Sequence, residues 1–93
     1  MADTASKHAL TIEFCVPCDF RPQAIATAEE AIDLWADRLS DVRLEPSTGG
    51  RFEVTLDDEL IFSKAQLDRH AEPGEIKGLI QSRIGAPTAA LFG

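Results

Sequence analysis

The two cysteines are the residues of this chain best suited to chemistry. They are the only cysteines in the sequence, and they stand three positions apart in Cys15-Val16-Pro17-Cys18. A disulfide across so short a loop removes little entropy from the unfolded chain, so stabilisation alone explains the pair poorly. Two thiols at this spacing can instead exchange with substrate disulfides, one attacking and the other resolving. We therefore predict thiol–disulfide chemistry with Cys15 and Cys18 as the catalytic residues and Val16 and Pro17 as their spacer.

The residues after the motif bear on which sulfur attacks. Pro22 favours the first turn of a helix that begins after Cys18, and the dipole of such a helix would favour a Cys18 thiolate. A helix that starts earlier and kinks at Pro22 would favour Cys15. Arg21 should lower the pKa of a neighbouring thiol and Asp19 should raise it. The residues alone leave the choice between the two cysteines open.

Alternation of apolar and polar residues predicts four strands. Residues 8–14 alternate and end at the cysteine motif, and residues 42–45, 51–56 and 59–63 give three further strands. Asp57-Asp58 has the length of a tight hairpin connection between the last two. The turn-forming residues 46–50 separate the second and third strands.

Helical spacing predicts two helices. The first covers residues 21–39, with one apolar stripe formed by Ile25, Ala28, Ile32, Trp35 and Leu39. The second opens at Pro73, runs to Ile84 and is capped by Gly85. The polar residues 64–72 between the last strand and this helix are predicted to form a loop.

This order of elements predicts an α/β two-layer sandwich. The strands have one apolar face each, so both helices should cover the same face of a four-stranded mixed sheet in the order β-α-β-β-β-α. A right-handed crossover through the first helix makes the first two strands parallel. We predict a single domain over residues 8–85, a disordered lead over residues 1–7 and a C-terminal tail over residues 86–93, in which Leu91 and Phe92 could dock on the domain.

The bulk properties exclude several function classes. The 93 residues suffice for one domain, and their formal net charge of −7 opposes binding to nucleic acids or anionic membrane surfaces. The apolar runs are far shorter than the roughly 20 residues that span a bilayer. Without a basic start followed by an apolar stretch, we expect a cytoplasmic protein.

A series of short motifs resembles the selenoprotein W type of the Rdx family. The motifs are Phe14-Cys15-Val16-Pro17-Cys18, Pro22, Gly49-Gly50-Arg51-Phe52-Glu53-Val54, Ile61-Phe62-Ser63-Lys64 and Glu75-Ile76-Lys77. The resemblance covers about residues 8–85. It implies a thioredoxin-like fold and a thiol-redox role with glutathione or protein thiols as partners and no bound cofactor. Family members often carry selenocysteine at the position of Cys18, which supports Cys18 as the attacking group.

A thioredoxin-like arrangement also predicts the surroundings of the cysteines. The third strand would lie antiparallel beside the first, which brings the turn at residues 46–50 next to the motif. We expect Thr48, Gly49 and Gly50 to form one wall of the site, where bare backbone lets a partner's extended chain approach closely. An ordinary turn is the competing interpretation of these glycines.

Two other functions fit the sequence. The first is a soft-metal carrier, because thiolates select copper(I) or zinc, although a closed zinc site would need cysteines from a second chain. The second is a redox-switched adaptor that binds a protein partner on the open sheet face. Metal analysis of anaerobically purified protein separates the carrier from the redox protein.

Overall fold

The structure is a computed structural model that describes residues 7–88. Within this range, a one-turn 3-10 helix (Ala36–Arg38) connects the first helix to the second strand. The strands and α-helices are β1 (His8–Cys15), α1 (Arg21–Trp35), β2 (Leu39–Ser47), β3 (Phe52–Leu56), β4 (Glu59–Ser63), α2 (Lys64–Leu67) and α3 (Glu75–Ile84).

The four strands form one mixed sheet in the order β2-β1-β3-β4. β1 runs parallel to β2 and antiparallel to β3, and β3 pairs antiparallel with β4. These pairings confirm the predicted sheet, including the parallel first pair. At its carboxyl end, β1 pairs Cys15 with Ser47 of β2 and Phe14 with Phe52 of β3. The cysteine motif therefore leaves the sheet between the end of β2 and the start of β3.

The core lies on one face of the sheet, under α1 and α3. The sheet contributes Leu10, Ile12, Phe14, Phe52, Val54 and Leu56, and the helices contribute Ala24, Ala28, Ala31, Trp35, Ile76, Ile80 and Ile84. The other face carries polar side chains such as Thr11, Glu13 and Thr55. The two-layer sandwich with both long helices on one face is confirmed.

The buried stripe of α1 differs from the predicted one. Ala28 and Trp35 are buried as expected, but Ile25 and Ile32 are more than 40% exposed, and Ala24 and Ala31 take their place. Alanines let the helix backbone approach the sheet closely, so the apolar residues a quarter turn away face outward. The helix also ends at Trp35, and Leu39 is the first residue of β2 instead of the last of the helix.

The connections show three further differences. Residues 64–72, predicted as loop, contain the single turn α2, which Ser63 caps by accepting a hydrogen bond from the Gln66 N–H at 3.0 Å. α3 begins at Glu75, two residues after Pro73. β2 is longer than predicted and includes Pro46, which an edge strand tolerates because one side of its backbone is unpaired.

The predicted turn and cap residues have the expected geometry. Asp57 and Asp58 both have positive φ angles, 52° and 72°, as a two-residue hairpin turn requires. Gly85 caps α3, donating its N–H to the carbonyl of Gln81 at 2.9 Å. The Trp35 indole N–H donates to the carbonyl of Gly85 at 3.0 Å, which ties the ends of the two long helices together.

The ends of the predicted domain are only partly described. Most of the predicted lead and of the predicted tail, including Leu91 and Phe92, lies outside residues 7–88. Thr88 donates its backbone N–H to the carbonyl of Leu34 at 2.9 Å, so the chain runs along the end of α1 there. None of the helices in the described range has the length and apolar character needed to cross a bilayer.

Candidate functional site

The two cysteines form a disulfide at the junction of β1 and α1. Cys15 is the last residue of β1, Cys18 lies in the following turn, and their Cα atoms are 5.3 Å apart. Backbone hydrogen bonds close this turn: the Asp19 N–H donates to Val16 at 2.9 Å and the Phe20 N–H donates to Cys15 at 3.2 Å. Asp19 accommodates the tight return with a φ of 65°. The fold thus holds the two sulfurs within bonding reach.

The two cysteines differ strongly in exposure. Cys15 is 1% exposed, whereas Cys18 is exposed together with its neighbours Val16 and Pro17. Cys15 lies at the end of the sheet, paired with Ser47 of β2 on one side and bonded through its N–H to the carbonyl of Arg51 on the other. A substrate disulfide can therefore reach the Cys18 side of the pair from solvent.

α1 begins after the motif, as one of the two predicted geometries required. Its first residue is Arg21 and Pro22 follows in the first turn, with Phe20 at the N-cap position. No side chain caps the first-turn amides of this helix. The positive end of the α1 dipole is therefore closer along the chain to Cys18 than to Cys15.

The turn between β2 and β3 lies beside the motif. The Val16 N–H donates to the carbonyl of Ser47 at 2.9 Å, and the Cys15 N–H donates to the carbonyl of Arg51 at 2.8 Å. These bonds place Thr48, Gly49 and Gly50 next to the disulfide loop.

The backbone conformation of this turn explains why both positions are glycine. The φ angles are 79° at Gly49 and 75° at Gly50, in the left-handed region that side chains disfavour. The structure thus brings together the residues predicted for the motif and for its wall.

Three cationic side chains border this end of the molecule. Arg21 is the first residue of α1. The Arg51 side chain lies against Gly49, with its Nε 3.9 Å from where a Cβ of residue 49 would be. The Lys64 side chain lies against Gly50 in the same way, with its Nζ at 3.9 Å. Within residues 7–88, no carboxylate forms an ion pair with any of the three. Sequence reasoning singled out Arg21 alone, because only strand pairing brings the other two to the motif.

Phe20 is a site residue that sequence reasoning missed. Its ring packs edge-on against His70, with 4.9 Å between the ring centroids, and the Lys64 Nζ lies 5.5 Å from its centroid. Phe20 therefore links the start of α1 to the segment between β4 and α3. A lone aromatic two residues after a cysteine carries no signal for such long-range contacts.

The hydroxyl of Ser47, a residue of the predicted turn at residues 46–50, is a second feature that sequence reasoning missed. Its hydroxyl oxygen is buried and has no hydrogen-bond partner within the described range. Ser47 is the β2 residue paired with Cys15, so an unsatisfied buried group belongs to the strand next to the buried cysteine. Turn composition gave no indication of it.

The described residues contain no group of three or more histidine, cysteine, aspartate or glutamate side chains placed to hold a metal ion. The two sulfurs are bonded to each other. In this state the disulfide exposes its Cys18 side next to the turn of Thr48, Gly49 and Gly50, where the side chains of Arg51 and Lys64 also lie.

Comparisons with known proteins agree with this geometry. A selenoprotein W-related protein from Vibrio cholerae superposes with a TM-score of 0.77 at 23% identity, over 83% of this chain and 96% of that one. A protein from Bordetella parapertussis superposes with a TM-score of 0.79 at 20% identity, over 84% and 99% of the two chains. These likenesses confirm the thioredoxin-like fold.

Comparisons of the amino-acid sequence identify the family more specifically than the superpositions do. No curated protein matches the chain significantly. The sequence model of the Rdx family, however, matches residues 9–82, which include both cysteines, the glycine wall and most of α3. The chain therefore belongs to the Rdx family.

Proposed function

We propose that this protein exchanges its Cys15–Cys18 disulfide with the thiols and disulfides of glutathione or of protein partners. Family membership and the bonded cysteine pair support a thiol-redox role. The observation that carries the finer proposal is the difference in exposure, with Cys18 open to solvent and Cys15 1% exposed. This difference supports attack by Cys18 and resolution by Cys15.

The reduced protein acts first through Cys18. Its thiolate attacks one sulfur of a substrate disulfide, a Cys18–substrate disulfide forms, and the second substrate sulfur leaves as a thiolate. The positive end of α1 and the nearby cations Arg21 and Lys64 favour the thiolate form of Cys18 over the thiol. Asp19 opposes them, so the cations and the dipole must outweigh one carboxylate.

Cys15 completes the exchange. Its thiolate attacks the Cys18 sulfur, the Cys15–Cys18 disulfide forms, and the remaining substrate thiolate leaves. The protein has then lost two electrons and the substrate has gained them. Two equivalents of a thiol such as glutathione return the electrons and restore the dithiol. A cytoplasmic setting, which keeps thiols reduced, suits this cycle.

The glycine wall serves substrate approach in this proposal. Gly49 and Gly50 carry no side chains, and the turn of Thr48, Gly49 and Gly50 lies next to the loop that holds the disulfide. An extended substrate chain can lie against such backbone and place its disulfide over Cys18.

Trapping the mixed disulfide tests the assignment. Reduced Cys15→Ser protein, exposed to glutathione disulfide, should accumulate one glutathione on Cys18, because no thiol remains to release it. Reduced Cys18→Ser protein should accumulate far less, because its remaining thiol is buried. Intact-mass and peptide mass spectrometry read both results, and wild-type protein should return to the internal disulfide.

Three outcomes contradict the proposal. Preferential trapping on Cys15 would reverse the roles of the two cysteines. Full exchange by either single variant would remove the resolving pair altogether. Stoichiometric copper or zinc in anaerobically purified protein would favour the metal carrier instead.

A further inference from the structure

A groove of about 510 Å³ opens beside the first turns of α1, and the residues that line it have no part in the exchange described above. One wall is the outer face of α1, at Gln23, Ala26, Thr27 and Glu30, and the other wall is the segment from His70 to Gly74. Phe52 and Ile76, both nearly fully buried, also line it.

The groove has a mainly apolar interior and an acidic rim. Phe52, Ala71 and Ile76 offer the surface that an apolar side chain would cover. Glu30 and Glu72 stand on opposite walls, and neither forms an ion pair with another residue in the described range. The nearby Arg69 is paired with Glu75 through two hydrogen bonds of 2.8 Å, and it acts on the Glu72 carboxylate only at longer range.

Phe20 lies between the redox motif and the groove. The Phe20 ring contacts His70, which lines the groove. Phe20 is also the residue directly before α1. Gln23 lies only three residues further along, about 5 Å at the helical rise of 1.5 Å per residue. Cys18 stands two residues before Phe20, at most about 7 Å away, so Cys18 and Gln23 are at most about 12 Å apart. An extended chain rises about 3.3 Å per residue, so two to four residues bridge this distance.

We propose that this groove binds protein substrates through an apolar side chain flanked by a lysine or arginine, placed two to four residues from the substrate cysteine. The inference rests on the proposed function, because it describes how a substrate of that exchange is selected. The apolar side chain fills the groove, and the basic residue pairs with the rim carboxylates. Glutathione is too short to reach the groove and reacts without it.

Peptide reactivity tests the proposal. The probes are peptides with one cysteine in a mixed disulfide with thionitrobenzoate, a chromogenic leaving thiolate. One peptide carries Leu-Lys three residues from its cysteine, a second carries Leu-Glu and a third Ala-Ala. Cys18 of the reduced protein attacks the peptide sulfur, and the rate of thionitrobenzoate release is read by absorbance. The Leu-Lys peptide should react about tenfold faster than the other two. The mixed disulfide of glutathione with thionitrobenzoate reports exchange without the groove.

Two pairs of variants locate the effect. Ala26→Trp fills the groove from an exposed helix position and should remove the tenfold preference, whereas Ile25→Trp, exposed on another side of the same helix, should keep it. The double variant Glu30→Lys and Glu72→Lys should prefer Leu-Glu over Leu-Lys. Glu29→Lys with Glu45→Lys makes the same change in net charge away from the groove and should retain the original order.

The outcomes distinguish a failure of the groove proposal from a failure of the proposed exchange function. Equal rates for the three peptides, with normal release from the glutathione probe, overturn the groove proposal and leave the exchange function intact. No release from any probe in the wild-type protein overturns the exchange function itself. A dimer in sedimentation that Ala26→Trp dissociates would assign the groove to a second copy and overturn the proposal.

Discussion

At the scale of single residues, the two cysteines joined by the disulfide have different surroundings, and the site depends on this difference. Cys15 ends a central strand and takes backbone hydrogen bonds on both sides, while Cys18 stands in an exposed turn ahead of α1. The spacing and Pro22 were readable from the sequence because both act locally. The turn at residues 46–50 was also predicted beside the motif, but the positions of the Arg51 and Lys64 side chains were not, since strand pairing alone brings them there.

The buried hydroxyl of Ser47 gives a prediction at this scale. A buried polar group without a partner costs about 1–3 kcal/mol, so Ser47→Ala should raise the free energy of unfolding of the oxidised protein by about 1 kcal/mol. Ser63→Ala is the matched comparison, because the Ser63 hydroxyl donates to Glu53 at 2.5 Å and accepts from Gln66. That variant should lose about 1–3 kcal/mol. Urea unfolding measures both, and a loss of stability in Ser47→Ala would show that its hydroxyl is satisfied in solution.

At the scale of elements, the strands were more predictable than the helices. In β3 the alternation of Phe52, Val54 and Leu56 with charged or polar residues leaves one register that buries the apolar set. In α1 the sequence contains two neighbouring apolar stripes, one of isoleucines and one of alanines. Spacing cannot choose between them, because the choice depends on how closely the helix approaches the sheet. The single turn α2 is too short to show any period.

The buried alanine stripe gives a second prediction. Ala31 is 1% exposed, so Ala31→Leu forces extra volume between α1 and the sheet and should cost about 1–3 kcal/mol. Ile32→Lys, at the neighbouring exposed position, should change the free energy of unfolding by less than about 0.5 kcal/mol. Thermal and urea unfolding of the two variants decide the matter. The reverse order of losses would mean that the isoleucine stripe faces the core.

The start of α3 gives a third prediction, in acid. Hydrogen bonds from Arg69, and from the Glu72 backbone N–H, lower the pKa of Glu75 to about 2 from an ordinary 4.5. A carboxyl with a lowered folded-state pKa stabilises the protein above its unfolded-state pKa, and this stabilisation is lost as the pH falls from 4.5 towards 2. Glu75→Gln should therefore be less stable than wild type at pH 7, with the difference shrinking through that window.

Arg69→Gln tests the same pair from the other side. It should show a similar pH dependence of the stability difference, because the loss of either partner removes the charged hydrogen bonds. A difference between wild type and Glu75→Gln that stays constant from pH 7 to pH 2 would contradict the pairing.

At the scale of the whole molecule, charge is distributed unevenly over an acidic protein. The formal net charge is −7, yet Arg21, Arg51 and Lys64 gather at the end that carries the disulfide. The groove beside that end has an acidic rim. The fold thus presents an exposed sulfur with cations near it and, one helical turn away, a surface suited to basic chains. Composition predicted the overall charge, but only the folded chain shows where the cations collect.

The central claim is that Cys18 attacks and Cys15 resolves, and alkylation of the reduced wild-type protein tests it most directly. Reduced protein is pulsed with iodoacetamide across a range of pH, and peptide mass spectrometry gives the labelling rate of each cysteine. Cys18 should label faster than Cys15 at every pH, and it should keep much of its rate near neutrality, where a free cysteine with a pKa of about 8.5 is mostly protonated. Faster labelling of Cys15, or equal rates for the two thiols, would contradict the account.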